Sequence, residues 1–420
     1  MRILIALHQF YPEFSGGTER VALNLAKAAQ RAGHHVQVLA AVISPATAGG
    51  KPSETFVGAL ETTWQGVPTT LVPRASLPAA ADFSFEADEP LVGRLGTWLT
   101  RHRFELVHVL HPMRMGSLIL AAQRTGIPYL LTLTDFFSSC YLINRIDLKQ
   151  RLCPGSDGGR RCASDCLVAP WTADALGRRY QQARDLLGAA GLRVCPSSYV
   201  AERYREEFPG MEFKVIPHGI DLAALPPQAS PPPPRPGKGI TLGFVGTIVP
   251  HKGLDILLQA LDRVTHPDLR LLVAGETHGD AVHAERIRRR AHADTRIKML
   301  GRLGAAEVAH LMHQLDVLCL PSQVPETFSL VLHEAAAAGV PALVSALGAP
   351  GEHVGRHGCG RCLPANDVEA WADAIAALLE RPQTLDDWRV RLPLPLRVEE
   401  EAFFYESLYR QIRLEARDMA

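Results

Sequence analysis

Short, mostly apolar runs alternate with longer amphipathic stretches along almost the whole chain. Residues 3–7 (Ile-Leu-Ile-Ala-Leu), 36–40, 106–110 and 129–133 have the length and composition of buried strands. Residues 19–32 form a helical stretch with Val21, Leu23, Leu25, Ala28 and Ala29 as apolar candidates, and Gly33 turns the chain. A second helix over 117–124 is stopped by Gly126-Ile127-Pro128. A strand and a helix follow within 193–204. The second half repeats the pattern, with strands at 240–245, 269–274, 297–300, 317–320 and 340–344. Its helices fall at 253–264, 285–293, 305–315 and 368–380, the last capped by Asn366 or Asp367. A final helix over 399–417 carries Phe403, Phe404, Leu408, Tyr409 and Ile412. Strand–helix alternation of this kind predicts α/β architecture with doubly wound sheets.

At 420 residues the chain is too long for one compact core. The stretch 225–237, rich in proline, cannot build a core element and reads as a semi-extended linker. The expected division is therefore an N-terminal domain over 1–224, a linker over 225–238, a C-terminal domain over 239–395 and a terminal helix over 396–420. Composition is that of an ordinary globular protein, 47% hydrophobic and 21% charged. Lys plus Arg equals Asp plus Glu at 44 each, so no global charge recruits nucleic acid or an anionic membrane. The basic run at 286–290 reads as a solvated helix face. No apolar run reaches membrane-span length, and the apolar start is too short for a signal peptide. The expectation is a cytoplasmic protein, with peripheral contact at the inner membrane face left open. Trp98 with Arg94, Arg101 and Arg103 is one candidate patch for such contact, although a half-buried helix explains it better.

The richest chemistry lies in Pro321-Ser322-Gln-Val-Pro-Glu326-Thr327-Phe328-Ser329-Leu330-Val-Leu-His-Glu334, followed by four alanines, Gly339, Val340 and Pro341. Glu326 falls in a loop after a strand and Glu334 inside the next helix. Gly339 suits a left-handed stop, and Pro341 forbids continuation. In an open parallel sheet such loops line the ligand crevice, and a helix start there presents free amides to an anion. Two glutamates eight apart are common in plain helices. Pro-Ser before them, with Glu-Ala, Gly and Pro after, makes the segment resemble glycosyltransferase family 4, retaining enzymes of the GT-B fold.

That resemblance covers Met1 to about Leu379. It includes Gly16-Gly17-Thr18-Glu19 after the first strand, Ile216-Pro-His-Gly-Ile-Asp221, and Val245-Gly-Thr247 through Lys252-Gly253. It implies two Rossmann-like domains facing a central cleft. It further implies a nucleotide-sugar donor on the C-terminal domain and a sugar, lipid-linked or small-molecule acceptor on the N-terminal one. Lys252 would neutralise the leaving diphosphate, Glu326 would hold sugar hydroxyls, and Glu334 the ribose. Gly16, Gly17, Thr247, Arg302, Thr327, Phe328, Ser329 and Leu330 complete the expected donor site. His111, after the strand at 106–110, is expected near the transferred sugar, and Asp135 on the acceptor side. Catalysis of this type needs positioning and electrostatics, with no cofactor. Two departures stand out: Thr247 replaces the arginine of many relatives, and Thr134 replaces a histidine. They keep open a non-catalytic nucleotide-sugar-binding or sensing protein with a metal-binding cysteine module; another GT-B activity, an epimerase or phosphorylase, is a separate alternative. A dinucleotide oxidoreductase is disfavoured, because no Gly-x-Gly-x-x-Gly follows the first strand.

A cysteine-rich insert, about 136–170, sets this chain apart. Cys140, Cys153, Cys162 and Cys166 follow a Cys-x12-Cys-x8-Cys-x3-Cys spacing. Four thiolates can close a tetrahedral structural zinc site. Free thiols, two disulfides or an iron–sulfur cluster are the alternatives. Cys359 and Cys362 read as a separate structural or incidental pair, and Cys195 and Cys319 as small buried residues.

Overall fold

The structure is a computed structural model that describes residues 1–56, 58–224, 239–277 and 279–418. The proline-rich stretch 225–238 lies outside the described residues. The chain divides into two units, one of residues 1–219 with the C-terminal helix, the other of residues 220–397.

The first unit is built on nine strands. These are β1 (Arg2–Leu7), β2 (His35–Val42), β3 (Lys51–Pro52), β4 (Leu60–Trp64), β5 (Val67–Pro73), β6 (Leu106–Val109), β7 (Tyr129–Thr132), β8 (Leu192–Cys195) and β9 (Lys214–Val215). Their order across the sheet is 3-4-5-2-1-6-7-8-9. The edge β3–β4–β5 is antiparallel, and all other pairings are parallel. Helices α1 (Gly17–Arg31), α2 (Glu89–Arg101), α3 (Gly116–Arg124), α4 (Arg160–Asp165), α5 (Ala173–Gly188) and α6 (Ser198–Glu207) connect them. A parallel sheet covered on both faces needs strands that are apolar throughout. Ile3, Leu4, Ile5, Ala6 and Leu7 of β1 are accordingly all buried. Trp98 on α2 belongs to the same core and is 1% exposed, so it is not available to a lipid surface.

The second unit has six parallel strands: β10 (Thr241–Val245), β11 (Arg270–Ala274), β12 (Ile297–Gly301), β13 (Val317–Leu320), β14 (Ala342–Ser345) and β15 (Gly360–Leu363), ordered 12-11-10-13-14-15. Its helices are α7 (Leu254–Arg263), α8 (Ala281–His292), α9 (Ala305–Met312), α10 (Leu330–Ala337), α11 (Gly348–His357), α12 (Val368–Glu380) and α13 (Thr384–Arg389). The helix expected over 285–293 starts four residues earlier, because the Asp280 side chain caps it by accepting from His283 N at 2.9 Å. Both sheets reverse their winding once, between β1 and β6 and between β10 and β13. A crevice opens at such reversals, at the carboxyl ends of the strands.

Helix α14 (Val398–Asp418) packs on α1 in the first unit, and a buried polar array keys it to β6, β7 and the segment after β9. Glu401, 1% exposed at its side chain, accepts from His218 Nδ1 at 3.0 Å and Gly219 N at 2.8 Å. Tyr409 Oη meets His108 Nδ1, His108 Nε2 meets Thr132 Oγ1, and Thr132 Oγ1 meets Tyr405 Oη, each at 2.7 Å. Each buried polar group here has a partner, which removes the cost of an unmade bond. Among the described residues no helix is long and apolar enough to cross a membrane.

His108 is fully buried, and burial, with the nearby His218 charge, drops its pKa from 6.5 to about 3. The unfolded chain takes up this proton near 6.5, whereas the folded chain refuses it until about 3. Its contribution to stability is therefore complete above the unfolded value and is lost as pH falls below it, by up to about 1.4 kcal/mol per pH unit. Urea unfolding at about pH 7.5 and about pH 5 is expected to differ by about 2 kcal/mol from this residue alone. His108→Gln removes that increment, and an unchanged difference in the variant refutes the assignment.

Candidate active site

In the second unit the crevice between β10 and β13 is lined by the loop 246–253 and the loop 321–329. Their backbones touch. A side chain on Gly253, at φ 72°, would meet the Pro321 carbonyl at 1.9 Å, and Gln323 N donates to His251 O at 2.8 Å. Glycine at 253 is thus required twice, by conformation and by contact. This closeness brings Lys252 Nζ within 2.8 Å of Glu326 Oε1. Ser322 Oγ also bonds Glu326 Oε1. On the far side, Ala349 N donates to Glu326 O at 2.8 Å. A side chain on Gly348 would strike the Glu326 backbone at 2.4–2.5 Å, so α11 clamps the loop from behind.

Burial alone would raise the Glu326 carboxyl pKa. The Lys252 charge and the hydrogen bonds outweigh it, and the group lies below its ordinary range. Glu326 is therefore an anion held by a fixed cation at the strand ends. Ser329, which begins α10, has φ 72°, an uncommon conformation for a non-glycine residue that costs about 1 kcal/mol or more. Phe328 stacks on His333 with centroids 4.0 Å apart, and His333 lies 4.7 Å from His353 of α11. Glu334 sits half-buried one turn into α10, with Thr327 and Leu330 at its start. Thr247 is exposed, and beside it Ile248 bridges Thr277 of the neighbouring loop. Arg302 follows β12 and is exposed, 4.0 Å from Glu276.

The first unit has its own cluster at the ends of β1, β6 and β7. His111 is 2% exposed, and its Nε2 lies 2.6 Å from Asp135 Oδ2. Met113 N donates to His111 Nδ1 at 3.2 Å, so the ring's own proton belongs on Nε2, facing Asp135. Asp135 also accepts from Phe137 N at 2.8 Å through Oδ1, and Tyr204 Oη donates to its carbonyl at 2.9 Å. Thr134, in the position of a histidine in the resemblance, donates to Leu110 O at 3.1 Å. His8, after β1, lies against His111 with ring centroids 3.9 Å apart and planes tilted by 35°, and burial, then His111 and Arg114, holds it neutral. Glu19 is buried on α1. Burial raises its pKa against hydrogen bonds from Gln9 and the backbone, and against the nearby His111. A side chain on Gly16 would meet Glu19 Oε2 at 2.7 Å, so the exposed Gly16-Gly17 start of α1 leaves the space into which that carboxyl folds.

The residues expected from sequence thus assemble into two clusters, Lys252–Glu326 with the start of α10, and His111–Asp135 with the Gly16-Gly17 turn. Arg302 stands at the edge of its sheet, beyond β11. His8 and the buried carboxyl of Glu19 are not among the residues expected from sequence. The signal for His8 was that it leaves its strand where His111 leaves the adjacent one. Cys140, Cys153, Cys162 and Cys166 lie in the segment between β7 and α5, and all are free, as are Cys359 and Cys362.

Comparisons with known proteins bear on the family and the fold. Residues 15–224 match the model of Glycosyltransferase Family 4, and residues 227–391 that of Glycosyl transferases group 1. A phosphatidyl-myo-inositol mannosyltransferase of Mycolicibacterium smegmatis is 25% identical over 372 residues, 88% of this chain and 82% of that protein. Other curated relatives match over about half of their own length. Sucrose-phosphate synthase from Thermosynechococcus elongatus superposes with a TM-score of 0.71 at 20% identity, over 98% of this chain and 99% of that one. Anabaena HepE, in a structure with UDP and glucose, gives 0.67 at 17% identity, over 96% and 98%. The fold is GT-B.

Lys252→Ala leaves the Glu326 carboxylate without its cation, and the expected cost is about 2 kcal/mol in a urea or thermal melt. Glu326→Gln in the same chain should return part of that loss, giving a coupling of about 1 kcal/mol in a double-mutant cycle. Since the folded Glu326 pKa is lowered, the coupling is present above the ordinary carboxylate range and disappears only as pH falls through the lower folded value. Additive losses at neutral pH contradict the pairing.

Proposed function

This chain belongs to glycosyltransferase family 4, and on that premise we propose that it is a retaining glycosyltransferase whose donor site is the Lys252–Glu326 crevice. The observation that carries the reading is the 2.8 Å ion pair across the winding reversal of the second unit. Lys252 has three N–H donors. One is committed to Glu326, which leaves two for phosphate oxygens. The glycine-bounded loop 246–253 and the start of α10 add backbone amides, the usual means of holding a diphosphate at strand ends. Charge develops on that diphosphate as the glycosidic bond breaks, so a cation already fixed there lowers the barrier without reorganising. Glu326 accepts from sugar hydroxyls in place of Ser322, and Glu334 accepts from the ribose.

The acceptor is assigned to the first unit. Asp135, partly exposed and held by the buried His111, offers a rigid polar group on the side of the Gly16-Gly17 turn. A hydroxyl placed there is oriented by groups that do not move. Its proton leaves with the departing phosphate, which requires no side-chain nucleophile. Thr247, which brings no charge, supports a second reading in which the nucleotide sugar is bound but not turned over.

The test is a thermal-shift panel of UDP-, GDP-, ADP- and dTDP-sugars on the purified chain, repeated with Glu334→Ala. One donor is expected to raise the melting temperature by about 2–4 °C at saturating concentration, and the variant to lose that rise. With that donor and an accepted acceptor, the product's anomeric configuration should match the donor's. Inversion rejects the retaining assignment. A donor that binds but is neither transferred nor hydrolysed favours the second reading, and no response to any donor rejects the site.

A further inference from the structure

The carboxyl edge of the first sheet holds a charge imbalance that the His111–Asp135 cluster does not use. β5, β2, β1 and β6 run parallel, so the segments that follow them emerge on one edge. Arg74 follows β5, His8 follows β1, and Arg114 lies in the turn after β6, three residues beyond His111. Asp82, in the short 3-10 helix Ala79–Asp82, joins the two arginines. Its Oδ2 accepts from Arg74 Nη2 and its Oδ1 from Arg114 Nε. One carboxylate thus answers two guanidiniums, and the trio keeps an excess positive charge.

Arg114 is firmly placed. Its side chain is 9% exposed, and its Nη1 donates to His8 O at 2.7 Å. Its main chain, at φ 66°, donates from N to Ala81 O at 3.0 Å. A positive φ is uncommon for a residue with a side chain, so the turn holds this arginine against its local preference. Arg74 is 46% exposed at its side chain, and among the described residues its guanidinium bonds only Asp82. A guanidinium carries five N–H donors in a planar fork, so both arginines keep donors for a group outside the protein. Beside them His8 Nδ1 is buried without a hydrogen-bond partner, and the His8 ring lies 3.9 Å from that of His111. Three other carboxylates at this edge are already engaged. Glu13 accepts from Ile43 N and Ser44 N at 2.7 and 2.6 Å, Asp135 is held by His111 and Phe137 N, and Glu19 is buried on α1.

We propose that Arg74 and Arg114 bind a phosphate carried by the acceptor, so that the acceptor class is a phosphate ester with a free hydroxyl. The inference rests on the reading of the first unit as the acceptor side. The two arginines, bridged by Asp82, keep their remaining donors on neighbouring guanidiniums. A phosphate presents several oxygens in a tetrahedral spread to meet them, through hydrogen bonds strengthened by charge on both sides. A carboxylate has only two coplanar oxygens, and Asp82 already fills that part. The phosphate neutralises the excess charge. The contacts from Arg114 to His8 and from His8 to His111 then lead the ligand's polar body towards Asp135, where the reacting hydroxyl is oriented. A hydroxyl on the way gives His8 Nδ1 the partner it lacks. A phosphorylated sugar or polyol in solution and the headgroup of a phospholipid share this chemistry.

The experiment is calorimetric titration of the whole chain, without donor and at low ionic strength. The probes are inorganic phosphate, glucose 6-phosphate, myo-inositol 1-phosphate and glycerol 3-phosphate, with the neutral parents and glucuronate as controls. At least one ester is expected to bind, and its neutral parent to bind about tenfold more weakly or not at all. Arg74→Gln, at an exposed position, should weaken the ester about tenfold, and Arg74→Lys less. Arg114→Gln should cost more; where it fails to fold, the two Arg74 variants decide. Sedimentation with phosphatidylcholine vesicles, with and without phosphatidylinositol, separates the sources. Capture that needs both phosphatidylinositol and Arg74 identifies the headgroup, and binding of soluble esters alone identifies a free ester. Equal affinity for the neutral parent or for glucuronate overturns the proposal. So does binding that Arg74→Gln leaves unchanged, or that Lys252→Ala abolishes while Arg74→Gln keeps it, since the phosphate then sits in the donor crevice. No binding of any ester or vesicle overturns it as well. Donor binding is read separately, because Arg74→Gln should keep the donor-induced rise in melting temperature. A failed donor panel therefore rejects the donor site and leaves this subsite to its own titration.

Discussion

Two parallel strands whose crossovers leave in opposite directions must part at their carboxyl ends, and in the second unit that parting is held to atomic tolerance. β10 and β13 pair through Leu242–Val317 and Gly243–Leu318, after which their loops separate. The loops meet again only because residue 253 has no side chain to strike Pro321 O. A methyl group at that point would push the 246–253 loop away and take Lys252 with it. The ion pair with Glu326 therefore depends on a backbone contact rather than on the long flexible lysine finding its partner. Gly348 plays the same part on the opposite side, where α11 starts against the Glu326 backbone. Two glycines thus fix one carboxylate between a cation and a helix, and little side-chain entropy remains to be lost when a ligand arrives.

The first unit solves a different problem with similar means. Its cluster is made of groups that would each be costly if buried alone: two histidines, an aspartate and a glutamate. Met113 N fixes the His111 tautomer, Asp135 takes the proton-bearing side, and Phe137 N and Tyr204 fix Asp135 in turn. The polar atoms of His111 and Asp135 are each placed by a neighbour, so that pair behaves as one rigid object, whereas His8 Nδ1 and Glu19 Oε1 are buried without a hydrogen-bond partner. The same logic docks α14, where Glu401 and two tyrosines satisfy His218, His108 and Thr132. Polar groups that must be buried here specify position. An apolar helix face would slide more easily than one keyed by a carboxylate at one end and two phenols along its length.

The periodic elements were legible in the sequence because burial on both faces writes itself directly into composition. The strand expected at 317–320 is β13 to the residue, and that at 3–7 lacks only Arg2. The edge β3–β4–β5 gave no such signal. Its strands alternate weakly, and the turn between β4 and β5 is Gln65-Gly66, at φ 47° and 86°, where Asn-Gly would have announced a hairpin. Helix α11 was hidden for the opposite reason. Gly348, Pro350 and Gly351 look like a loop, yet the proline falls in the first turn, where its missing N–H costs nothing. Gly351 is there because a side chain would press on Ala346 and Ser345 at 3.1 Å. Of the candidate site, most motif residues were readable because they follow strand ends, with Glu334 set one turn into the helix that comes next. The mutual tie of Lys252 and Glu326, and the ring of His8 on His111, were not. Both arise between segments distant in sequence, and no local pattern encodes which loops meet.

Thr247 takes its meaning from that tie. An arginine at 247 would add a charge to the crevice, whereas Lys252 with Glu326 sums to zero. Attraction for a diphosphate across this crevice then cannot rest on net side-chain charge. It falls to oriented dipoles, the amides of the 246–253 loop and of the first turn of α10, whose field is local and survives pairing of the lysine. In the proposed donor site, Lys252 would contribute direction, with two remaining donors on a fixed ammonium, and Glu326 would contribute the acceptor that a sugar hydroxyl needs. A crevice of this kind binds by geometry more than by long-range pull, which is consistent with a chain whose acidic and basic residues balance at 44 each. On the proposed assignment, discrimination among anionic ligands would come from hydroxyl contacts to Glu326 and Glu334, because an inorganic triphosphate or a free phosphate offers the amides as much as a nucleotide sugar does but gives the two carboxylates nothing to hold.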